Sequence, residues 1–350
     1  MKVPAQTWEH RRDGRHLSLA KDASLDSSGF TPQALDHLMT LSAAVSYADA
    51  VKLAQRLGLF ISTSQLQRLM APLACQTAQM IRGELELRAE EPLQDRPGAK
   101  GRVMVVQADG VIVLGHKTGK NVVRDDIPRE TGEAFEIKAL TVYAQNSPAN
   151  RFTVAEKCDA DDFLPLLAGS LRVAGVRQQD TLISVSDGAP WIEDRMKCLG
   201  VTQHVLDVFH AVSYVDRVME EMGWNDEQRA AERQMWLRGE WDGQTWLQTF
   251  ASAPQGQRQW SSEAQQALNY LFRRTHLMNY PHYRTQGWPI GSGQIEGINK
   301  SVIGWRMKGS GMHWSRPGAS GMASLRANLN NINPLVSLDD VRHAAFPIPA

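Results

Sequence analysis

The sequence predicts a mixed α/β catalytic domain, interrupted by an all-helical insertion and preceded by a helical region. Three observations carry this. Short β-rich runs separated by helical stretches fill residues 101 to 210, an order that gives a mixed sheet with parallel pairing where helices intervene. The strand signal then stops from Ala211 to about Tyr283, a charged segment holding five of the ten tryptophans: Trp224, Trp236, Trp241, Trp246 and Trp260. Finally, Trp288-Pro289-Ile290-Gly291-Ser292-Gly293-Gln294-Ile295-Glu296 reads as a loop entering a helix that returns to the sheet.

Composition sets the frame. The chain has 350 residues, 42% apolar and 22% charged, as in an ordinary soluble protein of two or three domains. Its net charge is zero, so any basic surface for nucleic acid must be local. The three cysteines form no C-x-x-C pair, which favours a reducing compartment and argues against a disulfide framework or a Cys-based zinc site. There is no run of 18 apolar residues, and Met1 to Arg15 carries no apolar signal core. Cytoplasmic location without membrane contact is expected.

In chain order, residues 1 to 30 are expected to be irregular. Thr31-Pro32 opens a helix with Leu35, Leu38, Met39 and Leu41 on its apolar face. Ser46 to Gly58 is a capped amphipathic helix, Leu59-Phe60-Ile61 a turn, and Ser62 to Met70 a second helix. That pattern over 46–70 is the shape of a helix-turn-helix, with Ser62, Thr63, Gln65 and Arg68 as the DNA-contacting residues; an ordinary helical hairpin has the same pattern. A charged helix is expected from Gln76 to about Leu93, and the polar Gln94 to Gly101 marks the boundary of a helical DNA-binding region at 31–100.

Strands follow. Arg102 to Ala108 ends in Asp109-Gly110, and Val111 to Leu114 continues it or starts a hairpin partner. Residues 115 to 133 are expected to be a long loop, and Ala134 to Tyr143 another strand. Then come a helix from Asp159 to Gly175, a strand from Thr181 to Ser186 ending in Asp187-Gly188, a helix from Pro190 to Leu199, and a strand from Gln203 to His210. The tail after about Asn333 is expected to be loosely ordered.

Asp109 and Asp187 each end a hydrophobic strand and precede a glycine, where open α/β sheets form their crevice. Glu296 would join them from a helix capped by Ser292, with Lys300 four residues on. Singly, an Asp-Gly is a turn and a Glu on a helix is a solvated side chain. Together, three carboxylates repel unless they hold cations. Two Mg²⁺ ions roughly 3.5–4 Å apart would serve phosphodiester transfer. Lys300, Arg306, Lys308 and Arg316, clustered beside Glu296, are read as phosphate contacts. The tryptophans of the insertion are either core or platforms for an unpaired base.

Four segments carry a resemblance: Gln107-Ala108-Asp109-Gly110; Val185-Ser186-Asp187-Gly188-Ala189; Leu206-Asp207-Val208-Phe209-His210; and Pro289 through Glu296, continuing to Arg306-Met307-Lys308-Gly309-Ser310-Gly311-Met312-His313-Trp314. With them the chain resembles DDE transposases of ribonuclease-H-like fold, and more closely bacterial insertion-sequence transposases of the ISKra group. The resemblance implies a catalytic domain over 101–210 and 286–330, an all-α insertion over 211–285 and a tail over 331–350. It implies that Asp109, Asp187 and Glu296 bind two Mg²⁺ ions, for which Mn²⁺ can substitute, and that His210 assists. Asp207 is the alternative second ligand; Asp187 is preferred because it matches the strand-end Asp-Gly, while Asp207 belongs with His210. The implied reaction is cleavage and strand transfer of the element's own DNA ends, by a dimer or larger assembly on transposon and target DNA in the bacterial nucleoid. The chain departs from some relatives in having no Cys cluster near residue 1. Two rivals remain: a metal-dependent nuclease of the same fold, and a catalytically inactive, domesticated DNA-binding derivative.

Overall fold

The computed structural model describes residues 28–116, 134–251 and 260–346, together with the backbone of two short strands. These strands, β1 (Thr7–Glu9) and β2 (His16–Ser18), pair antiparallel where irregular chain was expected. The expected loop at 115–133 lies almost wholly outside the described residues.

The helical region begins as its caps predict. In α1 (Pro32–Ala44) the Thr31 hydroxyl accepts from the Ala34 amide at 3.3 Å. In α2 (Tyr47–Arg56) the Ser46 hydroxyl accepts from the Asp49 amide, and Gly58 turns the chain with φ of 78°. The two helices expected after it are one. Helix α3 (Thr63–Ala89) runs 27 residues straight through Pro72. A proline costs an interior helix about 3 kcal/mol; here packing against two other helices outweighs it.

Those helices are α4 (Ala160–Val173) and α13 (Arg316–Asn330). Both present a glycine to α3. A Cβ on Gly169 would lie 2.1 Å from the Leu85 carbonyl oxygen, and one on Gly321 2.7 Å from that of Ala74. The backbones touch, and only glycine allows it. One core therefore runs from Leu35, Leu66 and Leu73 through Met104, Val106 and Leu140 on the sheet to Leu325 and Val341. The polar stretch at 94–101 therefore does not mark a break between separate cores. The described part of the tail holds a helix where loose order was expected: α14 (Leu338–Ala345), capped by Ser337, buries Val341 against α1 and α3.

The sheet has the order β5-β4-β3-β6-β7. Strands β3 (Val103–Leu114), β4 (Ala134–Ala144) and β5 (Phe152–Glu156) are antiparallel; β6 (Thr181–Ser186) and β7 (Gln203–Leu206) are parallel to β3. Val111 to Leu114 continue β3. The third strand is β5, which sequence reasoning missed because all five of its residues are buried and show no alternation. Strand β3 pairs with β6 only from Val103 to Val106. From Gln107 onward that edge is open to other partners.

Helix α5 (Pro190–Cys198) leads to β7, and α6 (Val208–Glu221) follows directly. With α7 (Asp226–Leu237), α8 (Gly243–Trp246), α9 (Ser262–Phe272) and α10 (Tyr280–Thr285) it builds a second core that takes in Ile183, Val185 and Val205 of the sheet. Trp236 and Trp246 lie at its centre, fully buried, and the Trp246 indole donates to Glu232 at 2.7 Å. These two tryptophans are packing residues. Among the described residues no helix is long and apolar enough to cross a membrane.

The return segment is α11 (Gly293–Ile298), a π-turn (Asn299–Gly304) and α12 (Trp305–Met307). Ile295, Ile298, Val302, Ile303 and Met307 pack it on Val111, Ile137 and Ala323.

Candidate active site

Gln107 is the polar break in the apolar run of β3, and it organises the site. It is fully buried, yet both ends of its amide are used. Nε2 donates to the Gly291 carbonyl at 3.2 Å, and Oε1 accepts from the Ile295 amide at 3.0 Å. This side chain ties the loop before Glu296 to the sheet where β6 has stopped.

Asp109 is two residues on, mid-strand rather than at a strand end. It still lies just past the last β3–β6 pair. Its Oδ1 accepts from the Gly110 amide at 2.7 Å, and its Oδ2 from Asn299 Nδ2 at 2.6 Å. Asp187 directly follows β6; its Oδ1 accepts from the Ala189 amide at 2.9 Å. The insertion grips this turn. The Tyr270 hydroxyl donates to the Asp187 carbonyl, and Arg274 Nε donates to the Gly188 carbonyl at 2.9 Å.

Strand β7 ends at Leu206, not at His210, so Asp207 caps α6 and His210 stands in its first turn. Asp207 is fully buried. Its Oδ1 accepts from the His210 amide at 2.9 Å and faces His210 Nδ1 at 3.2 Å, while its Oδ2 accepts from the Ser292 amide at 2.5 Å. The Ser292 hydroxyl does not cap its helix as expected; it donates to Glu296 Oε1 at 3.2 Å. Asp207 thus links His210 to the Glu296 loop, with both oxygens committed to protein donors.

Electrostatics show which groups are neighbours. Burial pushes the Asp109 carboxyl up to about 6; the Gly110 amide opposes this, and the charges of Asp187 and Glu136 reinforce it. The hydrogen bond from Asp207 raises His210, and the charges of Asp187 and Glu296 add to it against partial burial. Burial alone would raise Asp207, but the bonds from His210 and Ser292 hold it below the usual carboxylate range. Asp109 and Asp187 thus act on each other, and His210 is acted on by Asp207, Asp187 and Glu296. Among the described residues no three His, Cys, Asp or Glu side chains stand close enough together to hold a metal ion as they are. No family model and no curated protein matches the chain.

The remaining sequence-predicted residues divide. Ser62 and Gln65 bond each other in a capping box, Thr63 is half-buried, and Arg68 is exposed with Nε donating to the Ser64 carbonyl at 3.3 Å. Lys300, Lys308 and Arg316 are exposed. Arg306 is not a surface cation. It is buried, donates from Nε to the Ser42 carbonyl at 2.8 Å, and lies over the rings of Tyr47 and Trp314. It follows the buried Val302 by four residues and Ile303 by three, and so lies on their face. Sequence reasoning also gave no role to Gln107 or Asn299. A Gln inside Val-Met-Val-Val-Gln-Ala was a visible signal; Asn299 had none.

His204 on β7 gives a separate expectation. It is buried with Nε2 3.2 Å from Ser186 Oγ, and Nδ1 has no partner. Burial lowers its pKa to about 4. As pH falls, the unfolded chain takes up this proton first, so the stabilisation present above about 6.5 is lost towards 4. Wild type should lose about 2 kcal/mol more than His204→Gln between pH 7 and 5, read from urea midpoints. Equal losses in the two proteins would remove His204 as the cause.

Proposed function

We propose that the chain is a DNA transposase with a ribonuclease-H-like catalytic domain, which cleaves the ends of its own insertion sequence and joins them to target DNA. What supports this is that Asp109 and His210 each feel the charge of Asp187, while Asp207 bonds both His210 and the Ser292 loop that leads to Glu296, on a mixed five-stranded sheet. The strand order, three antiparallel strands and then two parallel ones reached through helices, supports the fold reading. The helical block between β7 and Glu296 supports the inserted domain.

The donor set fits hard divalent cations: carboxylate oxygens only, one of them raised by burial and by a neighbouring charge. Asp109, Asp187 and Glu296 would hold two Mg²⁺, with Mn²⁺ as substitute. When bound, such ions activate a water or 3′-hydroxyl and neutralise charge on the leaving oxygen. The chain's own residues do the rest. Asp207 holds His210 by Nδ1, leaving Nε2 to hold or release a proton at a phosphate or leaving oxygen. Gln107 and Ser292 fix the helix that carries Glu296. Tyr270 and Arg274 fix the turn that carries Asp187. DNA is the partner, and pairing two ends calls for a dimer or larger assembly on DNA.

The test is a cleavage and joining assay on labelled DNA bearing the element's terminal repeats, in Mg²⁺ or Mn²⁺ against chelator. Cation-dependent cleavage followed by joining is expected. Cleavage without joining would make the chain a metal-dependent nuclease. Binding without cleavage in either metal would make it a non-catalytic DNA-binding protein.

A further inference from the structure

Trp305 follows Ile298 by seven residues and Val302 by three. In an uninterrupted α-helix these spacings share a face, and Ile298 and Val302 are both buried. The π-turn between them breaks the register. Arg306 and Met307 turn inward, and Trp305 comes out 79% exposed, the most exposed large hydrophobic side chain among the described residues. An indole held in water at the end of a well-packed segment has no folding role to explain it.

Its surroundings are cationic. Between Glu296 and Asp339 the sequence contains no Asp or Glu, while Lys300, Arg306, Lys308, Arg316 and Arg326 fall in that interval. Two of these are used internally: Arg306 on the Ser42 carbonyl, and Arg326 on the Val302 carbonyl at 2.5 Å. Lys300 and Lys308 stay exposed on either side of Trp305. In a chain of zero net charge, this is a local surface complementary to a polyanion. Trp305 stands nine residues beyond Glu296, about 13 Å along a helix axis, within a few nucleotides of the carboxylates.

We propose that Trp305 is a stacking platform for an unpaired base of the DNA strand entering the site, with Lys300 and Lys308 holding the flanking phosphates. This rests on the reading of the chain as a DNA-processing enzyme and adds the residue that would recognise unpaired DNA. Every base offers a π-face, so such a platform gives affinity without sequence preference.

The experiment is fluorescence anisotropy of a labelled single-stranded oligonucleotide and a blunt duplex, across salt concentrations, with full-length wild type, Trp305→Ala, Trp305→Phe and Lys300→Ala/Lys308→Ala. Trp305→Ala should bind the single strand roughly ten- to a hundredfold more weakly, with an unchanged salt slope. Trp305→Phe should recover most of the loss, and the blunt duplex should be little affected. The lysine double variant should flatten the slope by about 1.4, at roughly 0.7 per charge for single strands. Circular dichroism should match wild type for all three variants. Single-strand binding by Trp305→Ala at wild-type affinity would overturn the proposal, as would self-association of DNA-free wild type that Trp305→Ala abolishes. If in either case wild type still cleaves, only this inference falls. A wild type that neither binds nor cleaves DNA would remove both readings.

Discussion

If the chain is the proposed transposase, Asp109→Asn and Glu296→Gln should each lower single-turnover DNA cleavage by at least a hundredfold, while DNA binding should stay within a few-fold of wild type. Removing one carboxylate oxygen from an ion-holding site forfeits several kcal/mol of charge stabilisation, and about 1.4 kcal/mol is a tenfold change in rate. The Asp109 variant carries a second, opposite signature. Its carboxyl is raised to about 6 in the folded protein, against about 3.9 unfolded. Stability from this group is therefore fully present below pH 4 and lost as pH rises through 6. At pH 7 without divalent cation, the ionised carboxylate costs on the order of 2 kcal/mol. Asp109→Asn removes that cost, so the variant should be inactive yet more stable, with the gain vanishing near pH 4. Cleavage within tenfold of wild type by either variant would dismiss the triad. A lower denaturation midpoint for Asp109→Asn at pH 7 would dismiss the electrostatic account.

Asp207→Ala is the most damaging single change expected for folding. It strips the acceptor from the His210 amide, the His210 ring and the Ser292 amide at a fully buried position. Breaking a buried charged network from one side costs about 3–5 kcal/mol. The urea midpoint should fall accordingly, and the pKa of His210 should drop, because the Asp207 hydrogen bond is the main cause of its rise. Asp207→Asn keeps an acceptor and should lose less. Proton NMR of the imidazole across pH and urea titration of both variants check this together. An alanine variant with the wild-type midpoint would mean that the links to His210 and Ser292 contribute little.

What could be read from the sequence was local. Thr31, Ser46 and Ser62 cap helices because the residue three positions on supplies the donor amide. The strand ending at Asp187 announces itself by β-branched residues and a following glycine. What could not be read depends on contacts far along the chain. Pro72 looks like a stop until Gly169 and Gly321 are seen bringing two other helices into backbone contact with this one. Strand β5 has no alternation because both of its faces are covered. Asp109 looks like a strand end, yet β3 goes on because β4 pairs with it as far as Leu114. Arg306 reads as a phosphate contact by its charge, yet it follows the buried Val302 and Ile303 by four and three residues and is buried with them. The candidate carboxylates were visible as residue types; the Asn299 amide that bonds Asp109 and the Ser292 hydroxyl that bonds Glu296 were not visible as their partners.

The packing of α3 against α4 and α13 ties the helical region to the sheet. The helix that begins at the Ser62 cap shares one core with Met104 and Val106, on the strand that carries Asp109. A duplex touching both places would be gauged as by a set square. B-form DNA turns once in about 10 base pairs. A protein with a fixed reach would therefore present the phosphate to be cut at one offset from the sequence it grips, and half a helical turn away the same phosphate would face into solvent.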